Sequence, residues 1–248
     1  EAQENVAVAI AKQMGAYINT GVVSNAVNVP SVSSDVLSKV GPYLTLAEML
    51  GSFHMQIAKG GVEEVTLEYI GEFEELTTGP ITVAFLKGLF TPILQDAVNY
   101  VNAPLIAKER GIRVVESKTG HSDDFTSLLS IRVKTTEGEN MLAGTVFGKS
   151  EPRLVRMNTF RLEALPTGPM LFVYNKDVPG VIGALGTTLG KHDVNISRMT
   201  VGREKEHGRN IILLNTDNMI SREVLRAVQE LEHIDDAMAL ELPHYGDE

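Results

Sequence analysis

The chain contains no cysteine in its 248 residues. This absence excludes a disulfide framework, a catalytic thiolate and a cysteine metal site, and it fits a reducing compartment. The six histidines form no His-x-His or His-x-x-x-His pair. We therefore predict no metal site.

The chain also lacks an excess of positive charge and any long apolar run. Its formal net charge is −10, whereas proteins that bind nucleic acid or anionic membranes present concentrated positive surface. No apolar run approaches the ~20 residues of a membrane-spanning helix. The length and a hydrophobic content of 43% predict a soluble globular protein of two ordinary domains, with no nucleic-acid or membrane partner.

Motifs of catalysis are absent as well. The sequence has no Gly-x-Ser-x-Gly elbow and no phosphate-binding Gly-Lys-Ser loop. The acidic pairs Asp123-Asp124 and Asp235-Asp236 are adjacent in sequence, and adjacent side chains rarely face each other across a substrate. We interpret them as loop charges and assign no catalytic residue.

The most informative stretch runs from Pro169 to Met199. It predicts a short apolar strand, a polar turn, a glycine-rich helix and a second strand that opens on Asn195. Asp177 and Pro179 give a helix start, because Asp is a good cap and Pro has a preset φ. The buried stripe of this helix is Ile182, Leu185 and Leu189.

The helix also carries a Gly-x-x-Gly-x-x-Gly ladder at Gly180, Gly183 and Gly186. A dinucleotide fingerprint would need Gly-x-Gly-x-x-Gly and an acidic residue about 20 positions later. The spacing differs, and the region near position 200 offers Arg198 and Arg203 instead. Close packing of another backbone and close approach of a small ligand both remain open.

The residues from Asn175 (NKDVPGVIG) and from Asp193 (DVNI) resemble the ACT domain, a small βαββαβ module that binds amino acids. The following segments fit the same fold. They are an apolar strand at 209–216, an amphipathic helix at 221–231 and a closing strand at 237–242. The resemblance implies that two chains pair side by side and that an effector lies in the joint.

In such a joint, one chain contributes its strand-to-helix turn and the other its second strand. The residues implied are Asn175, Asp177, Gly180 and Val181 of one chain and Asn195 and Ile196 of the other. Asp177 can accept from an amino-acid ammonium, Asn175 and Asn195 can donate and accept, and amides near Gly180 can hold the carboxylate. The alternative is that Asn175 and Asp177 only form the turn.

The beginning of the chain predicts a helix at 1–19 and a connector at 20–30. Glu1-Ala2-Gln3 and Ala26-Val27-Asn28-Val29-Pro30 resemble the end of the catalytic part of the D-3-phosphoglycerate dehydrogenase family, where a helix leads into the regulatory half.

Residues 31–166 predict one mixed α/β domain. The pattern gives a helix striped by Leu46, Leu50, Phe53 and Ile57, a helix at 79–101 kinked at Pro92, and strands at 65–69, 113–117, 128–134, 141–147 and 153–162. The run from Asn102 to Gly111 (NAPLIAKERG) resembles the intervening domain of the same dehydrogenase family.

In some family members that domain is an allosteric site for substrate or another phosphorylated acid. By this resemblance Arg153, Arg156 and Arg161 are candidate phosphate ligands through bidentate hydrogen bonds. The alternative is that they are solvated or protect an edge strand.

The expected fold class is α+β, a mixed α/β intervening domain followed by a ferredoxin-like ACT domain. The expected boundaries are 1–30 for a helix and linker, 31–166 and 167–248. The resemblance implies the regulatory portion of a D-3-phosphoglycerate dehydrogenase that binds L-serine for feedback inhibition and assembles as a homo-dimer or tetramer.

We expect no cofactor in this chain, because no residue matches the family's NAD-binding glycines or its catalytic Arg, Glu and His. The chain by itself is therefore not expected to be an enzyme. The alternatives are an assembly domain without effector and the regulatory part of an L-serine dehydratase. The expected compartment is the cytoplasm, or a plastid in a photosynthetic eukaryote.

Overall fold

The structure is a computed structural model that describes residues 2–20, 34–73, 76–120, 124–148, 150–204 and 208–245. It divides into a first unit that ends at Gly41 and a second that begins at Pro42. In the first unit, α1 spans Ala2–Thr20 and exposes Val6, Ile10 and Met14. The predicted connector lies almost wholly outside the described residues.

Five further helices are described. They are α2 (Ser34–Ile57), α3 (Gly79–Leu94), α4 (Ala103–Glu109), α5 (Val181–Lys191) and α6 (Arg222–Gln229), with a single 3-10 turn at Gln95–Ala97. The predicted stripe of α2 is confirmed, since Leu46, Leu50 and Phe53 are fully buried. None of the described helices is long and apolar enough to cross a membrane.

Helices α2 and α3 touch backbone to backbone through two glycines. A Cβ on Gly51 would overlap the carbonyl oxygen of Phe85, and one on Gly88 would overlap that of Glu48. Only glycine permits this approach. The two helices therefore form a tight pair over the sheet.

Ten strands form one sheet in the order β10-β7-β9-β8-β6-β5-β4-β3-β1-β2. Their bounds are β1 (Val62–Gly71), β2 (Arg113–Thr119), β3 (Ser127–Thr135), β4 (Gly138–Phe147), β5 (Glu151–Met157), β6 (Phe160–Ala164), β7 (Gly168–Lys176), β8 (Ile196–Arg203), β9 (Arg209–Thr216) and β10 (Ile234–Leu242). β1 and β2 are parallel, and the other described pairs are antiparallel.

The C-terminal part is a βαββαβ unit with strand order β10-β7-β9-β8. This is the ferredoxin-like arrangement, and the predicted fold class is confirmed. One face of these strands packs against α5 and α6. The buried cluster between them is Leu171, Val173, Leu185, Leu189, Ile212, Leu214, Ile220, Val224, Val228 and Ala237.

The opposite face of the same strands is covered by α2. The rings of Phe53 on α2 and Phe172 on β7 meet edge to face, with centroids 6.0 Å apart, and both side chains are buried. Nearby, Gln56 hydrogen-bonds the backbone of Glu241. The ferredoxin-like unit is therefore enclosed on both faces within one chain.

The single predicted strand at 153–162 is wrong. β5 and β6 form a hairpin instead, and the chain reverses at Asn158, whose φ is +50°. β6 then pairs with β8, so β5 and β6 lie in the interior of the sheet. Interior strands have no open edge, which removes the edge-protecting interpretation of the arginines on them.

Candidate functional site

Asn175, near the end of β7, lies directly opposite Asn210 on β9. Both side chains are buried, with 2% and 6% of their surface exposed. Asn175 Nδ2 donates to the carbonyl oxygen of Lys176 at 2.7 Å, and Asn210 Nδ2 donates to Asp177 Oδ1 at 2.8 Å. Each Oδ1 is left without a donor among the described residues, so both asparagines present unused acceptors.

Asp177 lies in the turn after β7, and both of its carboxylate oxygens accept hydrogen bonds from the same chain. Arg203 Nε donates to Asp177 Oδ2 at 2.9 Å, a second guanidinium nitrogen of Arg203 donates to the same oxygen, and Asn210 donates to the other oxygen. The hydrogen bonds from Arg203 and then from Asn210 lower the pKa of Asp177. The carboxylate is therefore a fixed negative charge beside the two unused oxygens.

The helix that follows begins at Val181, with Gly180 as its N-cap in the left-handed region at φ +97°, so the prediction that Asp177 caps this helix is wrong. A side chain would be strained at this φ. The Val181 side chain is buried, so only its backbone can face a ligand. The first amides of a helix have no intrahelical partner, and they suit a carboxylate.

Asn195 and Ile196 lie at the opposite end of the ACT-like βαββαβ sheet from Asn175. The register places Asn175 opposite Asn210 and Ile196 opposite Thr216, and these two positions on β9 are about 20 Å apart at ~3.3 Å per residue. Asn195 is exposed and donates from Nδ2 to Asp217 Oδ2 at 2.8 Å. Its Oδ1 accepts no hydrogen bond from a described residue. One chain therefore does not bring Asn195 to Asp177.

Half of the β8 edge is covered by the same chain. Arg161 on β6 pairs with Arg203, and Thr200 Oγ1 donates to the carbonyl oxygen of Glu163 at 3.0 Å. Within the described part of the chain, no strand pairs with residues 196–199 on that side. This shorter segment is the unpaired part of the edge.

The surface of α5 is also open. Apart from its sequence neighbours and the backbone of α5 itself, no atom of the described chain lies within 4 Å of a Cβ placed on Gly183 or Gly186, so packing against other elements of this chain does not account for these two glycines. Three large apolar side chains are exposed on or next to the elements of the predicted site. They are Val178, Ile182 and Met199. The prediction that Ile182 belongs to the buried stripe of α5 is therefore wrong, and Val181 is buried with Leu185 and Leu189 instead.

The three candidate phosphate ligands differ in their contacts. Arg153 is mostly buried, pairs with Glu151 and Glu163, and lies over the Phe147 ring. Arg161 is exposed and pairs with Asp124 at 3.4 Å. Arg156 lies directly opposite Arg161 and has no hydrogen bond or ion pair to a described residue. Arg156 and Arg161 are therefore freer to bind an anion than Arg153.

Sequence reasoning did not find three residues that shape this region. Arg203 was noted only as a mismatch to a nucleotide motif, and Asn210 and Asp217 were not singled out. Asn210 and Asp217 open and follow the apolar run of β9. A polar residue at each end of a buried strand was the available signal.

Comparisons with known proteins agree with this architecture. The family described as the D-3-phosphoglycerate dehydrogenase intervening domain matches residues 39–158, and the ACT domain family matches residues 170–233. Fold and matches together define a protein in which an ACT domain follows an α/β intervening domain.

Three relatives named D-3-phosphoglycerate dehydrogenase match 98% of the chain. They come from Synechocystis (37% identical, 44% of the relative covered), Methanocaldococcus jannaschii (35%, 46%) and Bacillus subtilis (32%, 46%). The chain thus spans slightly less than half the length of these relatives. It carries the two domains that form the regulatory half of the D-3-phosphoglycerate dehydrogenase family.

Proposed function

We propose that this chain is the amino-acid-sensing portion of a D-3-phosphoglycerate dehydrogenase and that its effector is L-serine. The effector lies between two copies of the chain. Asn175, Asp177 and the helix start at Gly180 and Val181 come from one copy, and Asn195 and Ile196 come from its partner.

The hydrogen bonds of the asparagines carry the proposal. In Asn175 and Asn195 the amide nitrogen is used within the chain, which leaves Oδ1 as the free group. Together with Asp177 these oxygens are acceptors, and an ammonium has three donors and no acceptor. The free amides at the start of α5 are the matching donors for a carboxylate.

The need for two copies follows from the separation of the two ends of the ACT sheet. Because Asn195 is about 20 Å from the Asn175 end within a chain, a partner must supply it. The unpaired segment 196–199 and the exposed Val178, Ile182 and Met199 support this arrangement, since exposed apolar side chains and a free strand edge are both typical of an interface.

Regulation then follows from linkage. An effector held by two chains binds the assembled arrangement better than any other, so its concentration shifts the subunit equilibrium. In this proposal NAD and the oxidation of 3-phosphoglycerate belong to the parent enzyme, and the chain alone gives no turnover with these substrates. The proposed setting is the cytoplasm or a plastid.

Calorimetry with L-serine, D-serine and glycine tests the proposal on the assembled chain. We expect heat with L-serine and much weaker binding of D-serine. Asn195→Ala should weaken L-serine binding by about 1–3 kcal/mol, because a buried polar group of the complex loses its partner. No heat with millimolar L-serine from a folded assembly would reject the proposal.

The second candidate function is binding of a phosphorylated acid by the intervening domain. It rests on the paired positions of Arg156 and Arg161 and on the absence of a described partner for Arg156. Arg153 lies on β5, the same strand as Arg156, and is a third candidate ligand. Its ion pairs with Glu151 and Glu163 compete with an anion.

A further inference from the structure

Five polar side chains lie in one line across five neighbouring strands. The register pairs Arg156 with Arg161, Arg161 with Arg203, Arg203 with Asn210, and Asn210 with Asn175. Directly opposed residues of antiparallel strands project from the same face of a sheet. We call this set the polar row, and it crosses from the intervening domain into the ACT domain.

One end of the polar row consists of hydrogen-bond acceptors. The Oδ1 atoms of Asn175 and Asn210 are buried and lack donors among the described residues. Asp177 adds a carboxylate at the same end through its bond from Asn210. Buried oxygens without donors are unfavourable, and the ammonium of a ligand would supply the missing donors.

The other end of the polar row consists of three guanidinium groups. Neighbouring strands are about 4.8 Å apart, so Arg203, Arg161 and Arg156 follow one another at short intervals. Arg203 forms an ion pair with Asp177, and Arg161 forms one with Asp124. Arg156 has no ion pair with a described residue. The Arg203 and Arg161 side chains are 73% and 66% exposed, and such exposed ion pairs exchange readily for a ligand.

We propose that the polar row binds an α-amino acid whose side chain carries a second anionic group. The ammonium lies at Asn175, Asn210 and Asp177, the α-carboxylate at the free amides that begin α5, and the second anion at Arg203, Arg161 and Arg156. This rests on the proposed function, which places an amino-acid ammonium at Asn175 and Asp177. It adds Arg203 and Asn210 as ligand-binding residues and makes one ligand touch both domains.

Calorimetry of the assembled chain with O-phospho-L-serine, L-serine and inorganic phosphate tests this assignment. We expect O-phospho-L-serine to bind at least about 10-fold more tightly than L-serine, a difference of ~1.4 kcal/mol. Arg161→Gln and Arg156→Gln should each reduce that preference several-fold with little change for L-serine. Arg132→Gln is the matched control, because Arg132 is an exposed, ion-paired arginine on β3, outside the polar row.

Each outcome decides the matter. L-serine binding without preference for the phosphorylated amino acid overturns this inference and leaves the proposed function standing. Binding of O-phospho-L-serine alone supports the inference and rejects L-serine as the effector. Phosphate that binds as tightly as O-phospho-L-serine shows an anion site only and overturns the inference. If O-phospho-L-serine, L-serine and inorganic phosphate all give no binding heat, both this inference and the proposed function are rejected.

Discussion

Gln56 on α2 exchanges two hydrogen bonds with the backbone of Glu241 on β10, the outer strand of the ACT sheet. Gln56 Nε2 donates to the Glu241 carbonyl oxygen at 2.7 Å, and the Glu241 amide donates to Gln56 Oε1 at 2.8 Å. The side-chain amide thus occupies the position that a neighbouring strand would take. It protects the edge from pairing with another chain and fastens the intervening domain to the ACT domain.

Gln56→Ala should lower the free energy of unfolding by about 1–2 kcal/mol, because its two hydrogen bonds to Glu241 and the bond from its Nε2 to Ser52 Oγ at 3.0 Å are lost. Urea unfolding measures the change. Gln229→Ala is the matched control, since Gln229 donates a single hydrogen bond to Ala237 and should cost about half as much. Equal costs for the two variants would show that the additional hydrogen bonds of Gln56 add nothing.

Phe53→Ala should destabilise the protein by about 3–5 kcal/mol, because a buried ring is replaced by a cavity between α2 and the ACT sheet. Phe53→Leu should cost clearly less, since most of the volume is kept. Thermal and urea unfolding, each followed by two probes, measure both variants. A small loss for the alanine variant would mean that α2 does not close this face of the sheet.

His54 should make stability depend on pH. It is buried, its Nε2 donates to the Ile131 carbonyl at 3.2 Å, and its Nδ1 has no partner among the described residues. Burial lowers the pKa of His54 from 6.5 to about 3. The unfolded chain therefore takes up the proton first, so the stabilisation is complete above pH 6.5 and is lost as pH falls toward 3.

At pH 5 this linkage amounts to about 2 kcal/mol. Urea unfolding of the wild type and His54→Gln at pH 7, 6 and 5 isolates the contribution, because other titrating groups are common to both. The stability of the wild type relative to the variant should fall by that amount between pH 7 and 5. Parallel curves would contradict the burial of a neutral histidine.

Gly88→Ala should cost at least about 2 kcal/mol, because the new Cβ would overlap the backbone of Glu48 and force α2 and α3 apart. Gly183→Ala on α5 is the matched control. Its Cβ would meet no described atom outside α5 itself, so better helix propensity should stabilise an isolated chain by up to ~1 kcal/mol. Unfolding at low protein concentration measures both.

The sequence was informative where one local pattern decided the structure. The apolar run at 209–216 coincides with β9, and the predicted helix at 221–231 contains α6, with Ser221 as its N-cap. The predicted helix at 79–101 was too long, because α3 ends at Leu94 and the chain turns at Gln95, whose φ is +50°. Such a conformation at a non-glycine residue has no clear sequence signal.

The residues of the candidate site were readable from the sequence, but their partners were not. The ACT resemblance indicated Asn175, Asp177 and Asn195. The bond between Asp177 and Arg203 joins residues from β8 and the turn after β7, and it depends on how the strands are ordered in the sheet. The polar row needs the β6–β8 pairing as well, which no local pattern encodes.

The central claim is that one amino acid is held by two copies of this chain. Asp177→Ala and Asn195→Ala disable different halves of the proposed site, so each variant alone should give little or no heat at an L-serine concentration that just saturates the unaltered chain. In an equal mixture that exchanges subunits, half of the dimers carry both variants, and each of these has one intact site, which restores about a quarter of the sites. Calorimetry that recovers this fraction on mixing supports the account. A mixture as silent as the separate variants, from chains shown to have exchanged, would contradict it.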